Sequence, residues 1–205
     1  MARRVFISFR FNDGYKYKES LEKIFNKDED IINHSEDVDR SNYKDDTIRE
    51  YLYKKLKNTS LTIVLLTPNA INHKKIYFYG SYKYDDWMYD EIRYSLEDRD
   101  GNRCNGLIAV YTPEVENIII KKNGDSTHIS SFNNLVRENM FNVKKLYKQN
   151  KNEGKYDRDY DHYCSLISWD EFIKNYDYYI NIAEKKRENK ERYDIKCRMP
   201  NSISF

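Results

Sequence analysis

Apolar positions along this chain fall into two alternating patterns: short continuous runs, and longer stretches in which apolar residues return every third or fourth position. The first run, Val5-Phe6-Ile7-Ser8-Phe9, is β-branched and aromatic, and it predicts a buried strand that ends at a polar turn over residues 10–14. Tyr17, Leu21, Ile24 and Phe25 then recur at helical spacing among Lys and Glu, which predicts a helix over 15–26. Residues 28–46 carry eight acids against two bases, a solvated loop with room for a short edge strand near 35–38. Asp45 and Asp46 precede Ile48, Tyr51, Leu52 and Leu56, so a second helix is expected over 47–57, with its acids at the positive end of the helix dipole.

Leu61-Thr62-Ile63-Val64-Leu65-Leu66 is a near-continuous apolar run of strand length, the pattern of a central parallel strand covered on both faces. Met88, Ile92, Ser95 and Leu96 mark a third helix over 86–98, and residues 107–111 form the next buried strand. This alternation predicts an α/β fold, a doubly wound parallel sheet with helices on both faces. In such a sheet ligands bind beyond the carboxyl ends of the strands, here the loops at 10–14, 37–43 and 67–69 and the start of the Trp87 helix.

Periodicity weakens past Pro113. Asn123-Gly124 between Ile118 to Ile120 and Ile129 suggests a hairpin, while residues 142–160 read as an exposed insertion. Residues 163–167 are expected as the last strand. Ser168-Trp169-Asp170-Glu171 has the capping-box form ahead of a long C-terminal helix reaching about residue 189. The expected organisation is one domain over 1–205, with its core at about 3–112 and 160–190 and an insertion at about 113–160.

Composition narrows the function. Aromatics are 15% of the 205 residues, including 20 Tyr, which supplies burial despite 34% charged residues and excludes wholesale disorder. A net charge of +2 gives no bulk electrostatic argument for nucleic acid. No apolar run approaches a membrane span, and the opening run is too short for a signal peptide, so a cytoplasmic protein is expected. Three widely spaced cysteines, Cys104, Cys164 and Cys197, suggest reduced structural thiols rather than disulfides or a metal site.

Several nucleotide chemistries lack their signatures. The six glycines show no G-x-G-x-x-G and no Walker loop, and Phe9-Arg10-Phe11-Asn12-Asp13 is too bulky for a flavin phosphate loop. Thr67-Pro68-Asn69 stands where a receiver domain needs its acceptor Asp. His34, His73, His128 and His162 share no ligand spacing and read as ordinary surface histidines, so no metal is expected. Glu91 remains. It lies four residues after Trp87 and to one side of the Met88, Ile92 and Leu96 line, at the margin of the core. A carboxylate there suits binding of ribose hydroxyls or stabilisation of an oxocarbenium-like centre; an exposed helical acid paired with Arg93 or Tyr94 is the plainer alternative.

These residues carry a resemblance. Arg4-Val5-Phe6-Ile7-Ser8-Phe9-Arg10 resembles the opening strand of TIR domains, and Asn58-Thr59-Ser60-Leu61-Thr62-Ile63-Val64-Leu65-Leu66 resembles their central strand. Trp87-Met88-Tyr89-Asp90-Glu91-Ile92 is similar to the helix motif of the TIR-like subunit of bacterial Thoeris antiphage systems, the ThsB type. The likeness spans about residues 3–111, although a clear R-D-x-x-P-G loop is missing. It implies an enzyme of antiviral defence that senses infection and cleaves the nicotinamide–ribose bond of NAD. It also implies an ADP-ribose-derived, cyclic signal that activates a separate effector.

By that resemblance Glu91 matches the catalytic glutamate, and Phe9, Arg10 and Phe11 fall where the first loop borders the nucleotide. Asp39 and Asn69 would line the same edge; Trp87 would border the substrate or simply anchor the helix. NAD would be the substrate, with no further cofactor, and a phage-derived trigger protein and self-assembly on activation are implied. Membrane and nucleic acid are not expected as partners. Two other readings stay open: a non-catalytic TIR-like assembly module, and a deoxyribosyltransferase-like nucleoside enzyme. Tyr77, Tyr79, Tyr82 and Tyr84 form a tyrosine-dense connection that fits a lid, a binding loop or low-complexity drift equally well.

Overall fold

The computed structural model describes residues 3–28, 30–33, 45–84, 86–98, 103–124, 126–130, 132–152 and 154–201. Its centre is a five-stranded parallel sheet in the order β2-β1-β3-β6-β9, built from Arg3–Ser8 (β1), Ile31–Asn33 (β2), Leu61–Leu66 (β3), Gly106–Tyr111 (β6) and Cys164–Ser168 (β9). With the strands of this sheet counted in chain order, the arrangement is 2-1-3-4-5, the flavodoxin-like winding. β3 is buried at every position, as its unbroken apolar run requires of a strand covered on both faces. Register runs Val5 to Leu61 and Leu61 to Gly106, so β3 and β6 start level and β1 begins two residues earlier.

Side chains alternate across β1. Val5 and Ile7 pack on one face with Leu21 and Phe25 of Phe11–Phe25 (α1) and with Phe172 and Ile180 of Trp169–Glu188 (α6). Phe6 points to the opposite face, against Leu52 and Leu56 of Asp45–Leu56 (α2) and Tyr94 of Trp87–Leu96 (α3). α6 is kinked at Asn175 and lies close on β6: a Cβ at Gly106 would stand 2.7 Å from the Ala183 carbonyl oxygen. Only glycine fits that approach.

Several elements differ from the sequence reading. The polar turn expected over 10–14 is the first turn of α1, which begins at Phe11, because Gly14 N–H already bonds to the Arg10 carbonyl at 2.7 Å. The tyrosine-dense connection is a hairpin, Lys75–Phe78 (β4) and Ser81–Tyr84 (β5), turned by Tyr79 and Gly80 at φ of 43° and 82°. Two positive φ values in succession make the mirror-image turn that matches strand twist. Past Pro113, a short helix Pro113–Ile119 (α4), with proline in its first turn, precedes the hairpin Ile120–Asn123 (β7) and Ser126–Ile129 (β8).

Leu135–Glu138 (α5) was not visible as a periodic segment, yet Leu135 and Val136 are fully buried in the same cluster as Met88 and Ile92 of α3. Ser168 caps α6 by accepting from Glu171 N–H at 3.3 Å, but the Glu171 carboxylate turns to Arg158 instead of closing the box. Cys104 and Cys164 are buried free thiols, and burial raises their pKa values to about 11 and about 12. No helix among the described residues is long and apolar enough to cross a membrane.

Candidate functional site

The carboxyl end of β1 and the first turns of α3 meet where the sheet's winding reverses, between β1 and β3. Ser8 shares the α3 side of β1 with Phe6, and its hydroxyl donates to Glu91 Oε2 at 2.6 Å. Glu91 is half-buried, with its own carbonyl accepting from Ser95 Oγ one turn on at 2.8 Å. A short hydrogen bond to a hydroxyl fixes the orientation of the Glu91 carboxylate.

Two residues further along the chain, Arg10 pairs with Asp86, whose side chain is fully buried. Asp86 caps α3 by accepting from Tyr89 N–H at 3.3 Å, and it also accepts from Lys74 N–H at 2.6 Å. His73 completes the cluster: its Nδ1 lies 3.4 Å from Asp86 Oδ2, while Nε2 accepts from Leu135 N–H at 3.0 Å. That acceptor role places the ring proton on Nδ1. Burial works against the Asp86 charge, but the His73 contact and the Arg10 guanidinium outweigh it and hold the carboxyl down to about 2. Burial lowers the His73 pKa, so the ring stays neutral.

The expectation of surface histidines is therefore corrected at His73 and His162, which are each 4% exposed. His73 is buried because its two nitrogens bridge Leu135 and Asp86; His128 is exposed as expected, and His34 lies outside the described residues. Asp39 and the expected edge strand near 35–38 also lie outside the described residues. Arg10 reaches the α3 side through Asp86. Trp87 stands one turn before Glu91 but packs partly buried against the cluster of Phe6, Leu52, Leu56 and Tyr94.

Phe9 and Phe11 turn to the other face of the sheet, where Phe9 belongs to the α1 core and its ring centroid is 4.8 Å from that of Phe11. Tyr15 stacks on Phe11 there and lines a cleft of about 340 Å³ with Asn12, Asp13, Lys16, Pro68 and Glu114. Asn69 borders this cleft, its N–H bonded to Asp13 Oδ2 at 2.9 Å, and Thr67 donates to Asp13 Oδ1 at 2.7 Å. Polar neighbours, Thr112 first and then Tyr17 and Lys16, which both donate to its carboxylate, lower the Glu114 pKa to about 2. The carboxyl edge thus has two sides: Glu91, Ser8, Arg10 and Trp87 on one, Phe9, Phe11, Asn69 and the cleft on the other.

Ser8, Asp86 and His73 were missed by sequence reasoning. Ser8 had a signal, a hydroxyl inside an otherwise apolar strand, and Asp86 stands at the capping position three residues before Tyr89. His73 had none. No group of three or more His, Cys, Asp or Glu among the described residues could hold a metal ion. A family model described as Thoeris protein ThsB, TIR-like domain, matches residues 6–117, more than half of the chain and the whole stretch from Ser8 to Glu91.

Proposed function

We propose that this chain, which belongs to the Thoeris ThsB TIR-like family, is an antiphage enzyme that cleaves the nicotinamide–ribose bond of NAD in the cytoplasm. It would release an ADP-ribose-derived signal, cyclic in form, for a separate effector. The observation that carries this reading is the 2.6 Å bond from Ser8 to Glu91 at the carboxyl edge of β1.

In the reaction the bond between the anomeric carbon and the nicotinamide nitrogen breaks, and its electron pair leaves with nicotinamide, which departs neutral. Positive charge develops on the ribose. Glu91, held by Ser8, faces that charge with its carboxylate and stabilises it at the half-buried edge of the sheet. Capture by a nitrogen or hydroxyl of the same ADP-ribose closes a ring; capture by water gives ADP-ribose, and in either case the nucleophile's proton is lost to solvent or base. The Asp86, Arg10 and His73 cluster fixes the start of α3, so that Glu91 does not reorient as charge appears.

The test incubates purified protein with NAD, with and without lysate of phage-infected cells, and separates the products by chromatography with mass detection. Nicotinamide and an ADP-ribose-derived product are expected from the native chain, and both should fall about a thousandfold in Glu91→Gln, a removal of transition-state charge stabilisation. Survival of NAD with folded native protein and infected lysate would falsify the reading.

A further inference from the structure

A second cleft, of about 600 Å³, lies far from Glu91 in sequence and almost wholly beyond residue 126. Residues 127–129 of β8, residues 140 and 141, residues 150, 154–156 and 158, His162 and Leu166 of β9 form its walls. Its volume is in the range of small-molecule sites. The lining is mixed: Ile129, Met140, Phe141 and Leu166 are apolar, while Tyr156, Lys155 and His162 bring rings and polar groups.

His162 is the unusual member. It is 4% exposed, yet neither Nδ1 nor Nε2 has a hydrogen-bond partner among the described residues. A buried imidazole with neither nitrogen hydrogen-bonded costs free energy that His73, with Nε2 on the Leu135 N–H and Nδ1 facing the Asp86 carboxylate, recovers in part. Burial, with Lys186 nearby, lowers its pKa to about 4, so at neutral pH the ring offers one donor and one acceptor.

The rings around it are held in place. Phe141 lies 4.4 Å from His162, centroid to centroid, and Tyr156 meets Phe141 edge-on at 5.1 Å. Phe141 has φ of 55°, a left-handed conformation that an aromatic residue adopts at a cost. Both Phe141 and Tyr156 remain about two-fifths exposed, at 40% and 39%. Lys148 Nζ lies over the Tyr156 ring, 4.0 Å from its centroid, so an arriving ligand meets the remaining exposed surface of the two rings. Charge among the described lining residues is of one sign. Lys155 has no ion-pair partner among the described residues, and the described lining residues include no carboxylate. Arg158 is already taken by Glu171 and Tyr179.

We propose that this cleft is a second binding site, for a planar aromatic heterocycle that carries an anionic group, of the size of a nucleoside monophosphate. Phe141 and Tyr156 stack or edge the ring, His162 hydrogen-bonds its polar edge, and Lys155 meets the anion. The site lies outside the span of the family match and does not depend on the NAD reading.

The probe is adenosine 5′-monophosphate, titrated calorimetrically into the full chain, with adenosine and inorganic phosphate run separately. Saturable binding of the monophosphate is expected, tighter than either part alone. Tyr156→Ala, at a half-exposed ring whose loss leaves the core intact, should weaken it about tenfold, the size of one lost stacking contact. Lys155→Glu should weaken it at least as much, and Glu91→Gln should leave it unchanged. The His162 ring protons, assigned by their disappearance in His162→Phe, should shift on binding in the native chain. Absence of saturation up to about 5 mM, a level that admits even weak complexes, overturns the proposal. So does binding that survives Tyr156→Ala and Lys155→Glu but vanishes with Glu91→Gln, which would place the nucleotide at the α3 edge. Equal binding of phosphate alone would reduce the site to an anion contact and likewise overturn it.

Discussion

The α3 edge and the cleft around His162 each contain a deeply buried histidine, and the two are built on opposite principles. His73 accepts from Leu135 N–H through Nε2 and sets Nδ1 3.4 Å from Asp86 Oδ2, an electrostatic contact that falls short of a hydrogen bond. That carboxylate itself accepts from Lys74 N–H and pairs with Arg10. His162 finds no hydrogen-bond partner for either nitrogen among the described residues. A cluster of the first kind, anchored by a hydrogen bond and a buried carboxylate, specifies one geometry, which suits a neighbouring carboxylate that must not reorganise while charge develops. An open one of the second kind holds interaction energy in reserve for something that arrives. The contrast teaches that burial alone does not mark a functional histidine; the state of its hydrogen bonds does.

The comparison breaks first at Glu91. Glu91→Gln keeps the shape of the Ser8 contact but removes the charge, and an expected loss of about a thousandfold in NAD turnover corresponds to about 4 kcal/mol of transition-state stabilisation. Turnover within tenfold of native would move the chemistry elsewhere. Asp86→Ala comes next: it strands the Arg10 guanidinium and the His73 Nδ1–H in a buried site, and a loss of about 3 kcal/mol is expected in urea unfolding. A loss below about 1 kcal/mol would mean that the network is ornamental to the fold, since surface substitutions reach only that range.

Acid separates the two regions by where each one fails. His162 has its folded pKa lowered to about 4, so the unfolded chain binds the extra proton and stability falls as pH drops from about 6.5 to about 4, by about 3 kcal/mol in total. His73, shifted in the same direction, adds to that limb. Asp86, with its folded pKa lowered to about 2, contributes stability that is present above pH 4 and is lost below it. Two acid limbs are therefore expected in melting temperature against pH, and His162→Phe should flatten the upper one while leaving the lower in place. An unchanged upper limb in that variant would show that His162 is not buried uncharged.

Ser8→Ala sharpens the positioning role. The Glu91 charge remains but loses its tether, so kcat should fall about tenfold, about 1.4 kcal/mol, with KM little changed. A fall in KM alone would argue against that role. The smallest expected effect is at the exposed β4–β5 turn. Tyr79→Asn places Asn-Gly at two positive-φ positions and should stabilise the chain by about 0.5 kcal/mol in thermal melting. Any change of NAD turnover in that variant would tie the hairpin to the α3 edge, which it reaches through Lys74.

Hydrophobic pattern alone determined the α/β winding. β1, β3 and β6 are continuous apolar runs, α2, α3 and α6 are amphipathic stripes, and each pattern reflects local geometry that the chain cannot evade. Glu91 was legible for the same reason, because its angle to the Met88 and Ile92 line places it at the core's margin. Tertiary structure decided what periodicity cannot encode. The chain brings Ser8 to Glu91 across 83 positions, and His73 to Leu135 across 62, contacts that depend on how the sheet stacks its crossovers rather than on neighbouring residues. It likewise decided that Phe9 and Phe11 face α1 while Ser8 faces α3, since side chains alternate along a strand and helix α1 starts at once. The stretch from Pro113 to His162 was the least legible, because Leu135, Val136 and His162 owe their burial to distant partners and carry no period of their own.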